Sequence, residues 1–482
     1  MNVVDQFLFQ AQHEPAALAV CAPGTQYNTV SYGRLARFAN NIGKRGLAAG
    51  LRRGDTVAIL ASDPIFHLAL ILGLARIGVV TVSARNSALP AEFPVSAILT
   101  DRAQGVVKAG RVIPVDATWT EGNAPIQMAE IDAGDDEAIA RIVLTSGTTG
   151  DQKAVALRNV DIIRRLQAYS AAFGYRSFAC SRVFIDVGLT TSYGYTWTLY
   201  VLSRGGAVFY RGSDAAETMQ AFGLYNVECM VASPSGIAEF LDYYEQSPDF
   251  VCPFGVMFAS GSLLSRAMSE RVRARMCQQL ISTYGSTEVS PVATAAAYRI
   301  AGVAGAVGRV VPWVTVQAVD DADRPLQRGV EGRIRVRGDT CVTGYVGNPP
   351  GSEKIFRDGW FYPGDIGSVT DDRMLIISGR EKAVLNLGGE KINPETIEMV
   401  LMSYPGIVHA AAFGRANALG IDEVWAAVTA ISDIDPEAVR AHCARSLAPD
   451  FVPIRVVRVS DIPRNDMGRI EREQLMKLAI FD

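Results

Sequence analysis

The chain is poor in histidine, with only His13, His67, His409 and His442 in 482 residues. The first two and His442 match no motif, and His409 falls in an apolar, strand-like stretch, so no histidine stands out as a required base. Seven cysteines are scattered with no Cys-x-x-Cys pair and no zinc spacing. That argues against a zinc module or a disulfide scaffold and suits reduced, buried thiols. Charge of one sign is lacking too: 46 basic residues against 50 acidic ones leave a formal net charge of −4, which argues against binding nucleic acid through bulk charge. No long apolar run survives inspection, because residues 57–82 are interrupted by Asp63, Pro64, His67 and Arg76, and a clean membrane span is excluded. The opening MNVVDQFLFQAQHEP carries no basic leader, so a cytoplasmic protein is expected.

What is present fits an α/β protein of two or three domains. "DTVAIL" (Asp55–Leu60) reads as a strand, "PIFHLALILGLARIG" (Pro64–Gly78) as a helix apolar nearly all round, and "VVTVSA" (Val79–Ala84) as the next strand. Such a unit predicts a parallel sheet covered on both faces. "GGAVFY" and "ECMVASP" read as further strands. From about Val310 short alternating strands take over, "GRIRVRG" and "RMLIISG" among them, and a smaller α+β segment follows Arg380. The expected architecture is a large N-terminal domain (1–381) of stacked mixed sheets with helices and a β-rich subdomain, and a small mobile C-terminal α+β domain (382–482).

The most informative stretch is "RIVLTSGTTGDQKAV" (Arg141–Val155). An apolar strand runs into Thr145, Ser146, Gly147, Thr148, Thr149 and Gly150, with Lys153 just beyond. Glycines let backbone N–H groups converge on one point, and hydroxyls add donors around an anion. The spacing is not that of the Walker loop. A plain Ser/Thr turn is the alternative; a phosphate loop explains the density of hydroxyls and the lysine better.

This loop resembles the phosphate-binding loop of the adenylate-forming superfamily: acyl-CoA synthetases, luciferases and peptide-synthetase adenylation domains. Four more signatures follow in family order. "STYGSTEVS" (Ser282–Ser290) is similar to the Tyr-Gly-x-Thr-Glu motif and "DGWFYPGDIG" (Asp358–Gly367) to the Gly-Asp motif. "SGREKAVLNLGGEKINPETIE" (Ser378–Glu398) is similar to the hinge and its following loop, and "IPRNDMGRIER" (Ile462–Arg472) to the C-terminal Pro-Arg…Gly-Lys…Arg motif. The resemblance implies that Tyr284 stacks on adenine, Thr287 contacts the α-phosphate, and Glu288, with Thr148, holds Mg²⁺ between phosphates. Asp365 is expected on the ribose hydroxyls, a task that suits two acceptor oxygens, with Arg380 adding a ribose contact. Ser260, Gly261 and Ser262 stand where the family usually has Gly-Gly-Ala beside the adenine. Lys382 takes the hinge position, and Gly388, Gly389 and Lys391 belong to the loop that lines the pantetheine tunnel once the small domain has rotated. Gly285 follows the stacking tyrosine where acetate-specific relatives carry tryptophan, so a medium or bulky acyl group is expected. Gly188, Thr191, Tyr193, Gly194 and Ser235 are read as further acyl-pocket residues, Thr191 standing where many relatives have histidine.

The superfamily's two steps consume ATP, Mg²⁺ and an acid, then CoA: the carboxylate first displaces pyrophosphate to give acyl-AMP, and CoA's thiol then displaces AMP. This sequence departs from the pattern at Arg469, where the family has lysine. That lysine bridges carboxylate and phosphate in the first step. Arginine keeps the charge but replaces a compact ammonium with a broad planar fork. The pattern resembles the non-adenylating acyl-CoA ligases that divide the reaction between two proteins, as in platensimycin-type diterpenoid biosynthesis. The expectation is thioester formation from an acyl-adenylate supplied by a separate adenylating enzyme. The alternatives are a complete synthetase or free-standing carrier-protein ligase that uses Arg469 or Lys477, and a non-catalytic nucleotide-binding protein.

Overall fold

The computed structural model of the chain describes residues 2–84, 93–102, 111–122, 136–146, 152–177, 181–246, 251–262, 264, 266–381, 385–387, 390–416, 422–465 and 468–478. A six-stranded sheet runs in the order Arg111–Pro114, Ala97–Thr100, Thr56–Leu60, Val80–Ser83, Ile139–Ser146 and Gln152–Arg158. All its neighbours are parallel except the last pair, which is antiparallel. The Pro64–Arg76 helix connects two of the parallel strands, as the residue pattern predicts. Asp63 caps it by accepting from the Ile65 and Phe66 amides, and proline occupies its first turn. Ile65 through Ala75 are all buried, which is why the pattern shows no polar stripe.

A fifteen-stranded sheet forms the rest of the large domain. Its parallel block contains Arg182–Ile185, Cys229–Ala232, Val256–Ala259 and Gln279–Ser286. Direction then reverses through Ser290–Ala296, and antiparallel strands Ala306–Val310, Met374–Arg380, Asp365–Val369 and Gly332–Gly338 complete the β-rich region. The change of texture near Val310 is therefore a change from buried parallel to antiparallel pairing.

Strands Ile407–Ala416, Asp422–Ala430 and Arg455–Arg458 form a separate sheet, covered by helices Pro394–Met402 and Pro436–Cys443. Ile397, Leu401, Ala412, Val428, Val439 and Cys443 pack there as a core of their own. The architecture is thus a large mixed-sheet body with a small α+β unit beside it. His409 lies in the Ile407–Ala416 strand but is only half-buried. Among the described residues no helix is long and apolar enough to cross a membrane.

Candidate active site

Three neighbouring parallel strands end at Ile185, Ala232 and Ala259 on one edge of the large sheet. Loops outside the carboxyl ends of parallel strands are where α/β sheets bind ligands. Those loops carry Asp186–Thr191, Ser233–Ser235 and Ser260–Ser262, so topology alone gathers segments read separately from sequence. The adjacent Gln279–Ser286 strand brings Thr283 and Tyr284 alongside, then turns back through Thr287 and Glu288, pairing Ser286 with Ser290.

Asp365 is buried and forms the corner of the site. Its carboxylate accepts a hydrogen bond from the Tyr284 hydroxyl and pairs with Arg380 at 3.1 Å. Strand register explains the pair, since Asp365 lies directly opposite Arg380. Burial works against Arg380's charge, but Asp365, Tyr284, Glu395 and Glu288 outweigh it and raise its pKa. Burial and the Asp365 charge push the Tyr284 phenol well above its ordinary range, so it donates and stays neutral. The backbone just before the predicted hinge is tied to this corner, with Glu381 N–H donating to the Gly364 carbonyl at 2.9 Å.

Glu288 lies on the other side. It is buried and accepts from the Tyr345 hydroxyl at 2.8 Å. Lys153 Nζ sits 4.9 Å from the centre of the same Tyr345 ring. Tyr345 therefore joins the phosphate-loop lysine to the predicted metal carboxylate, a link the sequence reading missed. Thr145 pairs with Lys153 across the hairpin, its hydroxyl donating to the Lys153 carbonyl at 3.3 Å. Gly147, Thr148, Thr149, Lys382, Gly388 and Gly389 lie outside the described residues, as do the side chains of Ser146 and Lys391. The strands flanking the Gly-Gly pair, Leu385–Leu387 and Glu390–Ile392, are antiparallel partners. Among the described residues no cluster of three histidine, cysteine or acidic side chains forms a metal cage. A single carboxylate suits Mg²⁺ carried chiefly by phosphate oxygens and water.

Two buried arginines were also missed. Arg165, on the Asn159–Ser177 helix, donates to the Thr287 carbonyl at 2.9 Å, the Thr340 carbonyl at 3.3 Å and Ser192 Oγ at 3.1 Å. It thereby ties the Thr287–Glu288 turn to the start of the Ser192–Ser203 helix. Arg141 donates to Thr81, Ser83 and the Leu189 carbonyl at 3.1, 2.7 and 2.6 Å, and lies 4.5 Å from the Tyr195 ring centre. His67 Nε2 meets the same Ser83 hydroxyl at 2.6 Å. Two arginines thus hold the Leu189–Ser192 segment from two sides. Nothing in an "RR" pair or an "AR" pair marks such a residue as buried.

Several predicted acyl-pocket residues have other work. Thr191 caps the Ser192–Ser203 helix, accepting from Gly194 N–H at 3.0 Å and donating to the Gly188 carbonyl at 2.9 Å. A Cβ on Gly194 would run into the Val187 and Gly188 carbonyls, and one on Gly285 would meet the Ser290 carbonyl and Pro291 Cα. Glycine at 285 answers a close strand approach, so it is a poor gauge of acyl size. Ser235 Oγ lies 2.9 Å from Ser233 Oγ and faces the small domain.

The C-terminal turn reaches this place. Asn465 accepts from Arg469 N–H at 3.0 Å through its side chain and donates to the Arg469 carbonyl at 2.9 Å through its backbone. Arg469 therefore lies on the descending limb of this turn. Gly468 has φ +72°, and a Cβ there would stand 2.8 Å from Ser235 Oγ and 3.2 Å from Ser233 Cβ. Loss of hydration and the nearby Arg380 charge lower the Arg469 pKa, while Asp365, Glu288 and Tyr284 act the other way. Arg469 makes no ion pair among the described residues. Lys477 is exposed just beyond the Arg472–Met476 helix and joins none of these contacts.

Comparison with known proteins places this geometry. The AMP-binding enzyme family model matches residues 7–346, and the AMP-binding enzyme C-terminal domain matches 396–469. A long-chain-fatty-acid–CoA ligase, FadD13 of Mycobacterium tuberculosis, is 24% identical over 96% of this chain and 95% of its own length. A fatty acid–[acyl-carrier-protein] ligase, MmaC of Mycobacterium marinum, is 26% identical over 99% and 98%. The structure of Bacillus subtilis O-succinylbenzoate coenzyme A synthetase in complex with AMP is similar with a TM-score of 0.83, at 20% identity and 98% coverage of both chains. By the match to its family model, this chain belongs to the AMP-binding enzymes of the adenylate-forming superfamily.

Proposed function

We propose that this chain forms an acyl-CoA thioester from an acyl-adenylate and CoA, and that making the adenylate from ATP and free acid is impaired or lost. Family membership and the ligase names of its relatives support the reaction class. The finer reading is supported by Arg469, which the motif resemblance sets at the family's lysine position and whose charge is opposed by loss of hydration and by the Arg380 charge.

In this reading Tyr284, Asp365 and Arg380 hold the adenosine, and Thr287 steadies the α-phosphate. Mg²⁺, when bound by Glu288 and phosphate oxygens, neutralises phosphate charge. Adenylation needs a compact cation that follows charge passing from carboxylate to phosphate. A planar fork is poorly shaped for that, and losing one such donor costs about 3–4 kcal/mol, some hundreds-fold in rate. Thioester formation asks less of this residue. The thiol sulfur bonds to the acyl carbon, the bond to phosphate oxygen breaks, the thiol proton passes to solvent, and AMP departs. The acyl carbon is already activated, so orientation supplies most of what remains. Rotation of the small domain about Lys382 would withdraw Arg469 and bring the Gly388–Gly389 loop to the pantetheine arm.

A second reading, a complete synthetase or carrier-protein ligase, draws on the intact Lys153–Tyr345–Glu288 set. Acid-dependent pyrophosphate exchange, run beside synthetic acyl-AMP with CoA, separates the two. We expect thioester at a useful rate while acid-dependent pyrophosphate exchange stays near background. Brisk exchange in the unmodified protein would leave only the second reading.

A further inference from the structure

The seat of the C-terminal turn is held by a clamp that no motif marks. Ser233 and Ser235 stand at the start of the Pro234–Gln246 helix, and a Cβ on Gly468 would lie 2.8 Å from Ser235 Oγ and 3.2 Å from Ser233 Cβ. The Ser233 hydroxyl caps that helix, accepting from Gly236 N–H at 3.2 Å. Asp186 directly follows the Arg182–Ile185 strand, and its N–H prolongs the ladder by donating to the Val231 carbonyl at 2.9 Å. Its side chain, 6% exposed, comes so close to the helix that a Cβ on Gly236 would run into Oδ2. The other carboxylate oxygen accepts from Arg211 Nε. Arg211 also grips Glu239 with both terminal nitrogens, at 2.7 and 2.8 Å, and lies 5.0 Å from the Phe240 ring centre. Burial works against the Arg211 charge, but Glu239 and Asp186 outweigh it and raise its pKa.

We propose that Asp186 is a positioning residue for the small unit: it fixes the first turn of the Pro234–Gln246 helix, and hence the Ser233–Ser235 ledge on which the Gly468–Arg469 turn sits. An ordinary surface ion pair does not do this. The Asp186 carboxylate is nearly buried, abuts the one glycine of that helix, and lies at the helix's positive end, where a carboxylate is favoured. The two-pronged Arg211–Glu239 pair adds direction to charge, so Arg211 ties the next turn of the helix back to Asp186. The start of the helix is thus held at two points, by contact at Gly236 and by the fork at Glu239. Among the described residues no hydrogen bond or ion pair links this clamp to the Tyr284, Asp365 and Arg380 corner. It therefore acts on docking of the turn and leaves nucleotide binding alone. This rests on the reading of the chain as an enzyme whose small unit alternates between two positions.

The test reads docking and chemistry separately in Asp186→Asn and, from the opposite side of the same contact, in Gly236→Ala. Cysteine-independent fluorophores at exposed Leu224 on the body and exposed Ile431 on the small unit report docking by energy transfer, with AMP bound. Pyrophosphate exchange in an Arg469→Lys background, beside thioester formation from synthetic acyl-AMP and CoA, reports the two steps. Both variants should move the transfer signal towards its undocked value and lower exchange at least about fivefold, the low end of coupling between distinct sites. Thioester formation should change far less, and AMP affinity should hold. Glu239→Gln, which leaves Arg211 on Asp186, should show a smaller change in the same direction. Melting temperature reports that the variants fold. An unmoved transfer signal in both folded variants, or equal losses in both steps, would overturn the positioning role. A shifted signal with no thioester from the unmodified protein would retain the role and refute the proposed reaction. Thioester with an unmoved signal would do the reverse.

Discussion

The Asp365 corner and the Asn465–Ile470 turn face the same place but answer their charges differently. In the corner Arg380 has Asp365 at 3.1 Å, Asp365 has the Tyr284 hydroxyl, and strand register sets Asp365 opposite Arg380. In the turn Asn465 holds the Arg469 backbone from two directions, while the guanidinium, partly buried near Arg380, has no ion pair among the described residues. The body thus presents a pre-formed, ion-paired corner, the one we propose takes the nucleotide. The small unit presents a cation with no ion pair among the described residues, on a turn whose Gly468 lies close against Ser233 and Ser235. A step that depends on the corner should survive changes in the turn, and the converse should fail.

The largest effect is expected from breaking the corner. Asp365→Ala strands a partly buried Arg380 and removes the predicted ribose acceptor, so AMP affinity measured by calorimetry should fall by about 1.5–3 kcal/mol. Next comes the contact that seats the turn. Gly468→Val places a branched side chain against Ser235 and Ser233 at a positive φ. In an Arg469→Lys background it should cut pyrophosphate exchange about tenfold or more, at least 1.4 kcal/mol, while thioester formation from acyl-AMP moves much less. Equal losses in both steps would show that the turn serves both.

A smaller change is expected at Tyr345→Phe, which removes the hydrogen bond to Glu288. Nucleotide affinity should drop by about 1 kcal/mol with the fold intact. The smallest near neutral pH, though it grows with acid, is a pH effect on the body. Loss of hydration, assisted by the Arg141 charge, lowers His67 from 6.5 to about 3. The unfolded chain then takes up a proton below pH 6.5 that the folded one refuses. His67's neutral state therefore costs no stability above that pH and destabilises the fold increasingly as pH falls towards 3, by up to about 1.4 kcal/mol per pH unit. Urea midpoints of His67→Gln should show a shallower acid decline than the unmodified protein.

The sequence made the motif-bearing parts legible because each depends on local residue chemistry. The Pro64–Arg76 helix, the Val80–Ser83 strand and the Asp365–Arg380 neighbourhood could be read from short stretches. What it hid depends on long-range neighbours. Arg165 and Arg141 look like surface cations until sheet packing buries them against carbonyls. Tyr345 acquires meaning only when Glu288 and Lys153 arrive from elsewhere in the chain. Gly285 and Thr191, read as pocket walls, are explained by a crossing strand and a helix cap, which a linear reading cannot distinguish from substrate contacts. Arg469 reads in the sequence as a departure from the motif, but the electrostatic influence of Arg380 on it comes only with the fold.

The central claim is that arginine at position 469 withholds carboxyl activation while leaving thiol transfer alive. Acid-dependent pyrophosphate exchange of Arg469→Lys, beside the unmodified protein, tests it most directly. The account predicts a rise on the order of a hundredfold or more, with the rate of acyl-AMP and CoA to thioester nearly unchanged. Equal and substantial exchange in both proteins would contradict it.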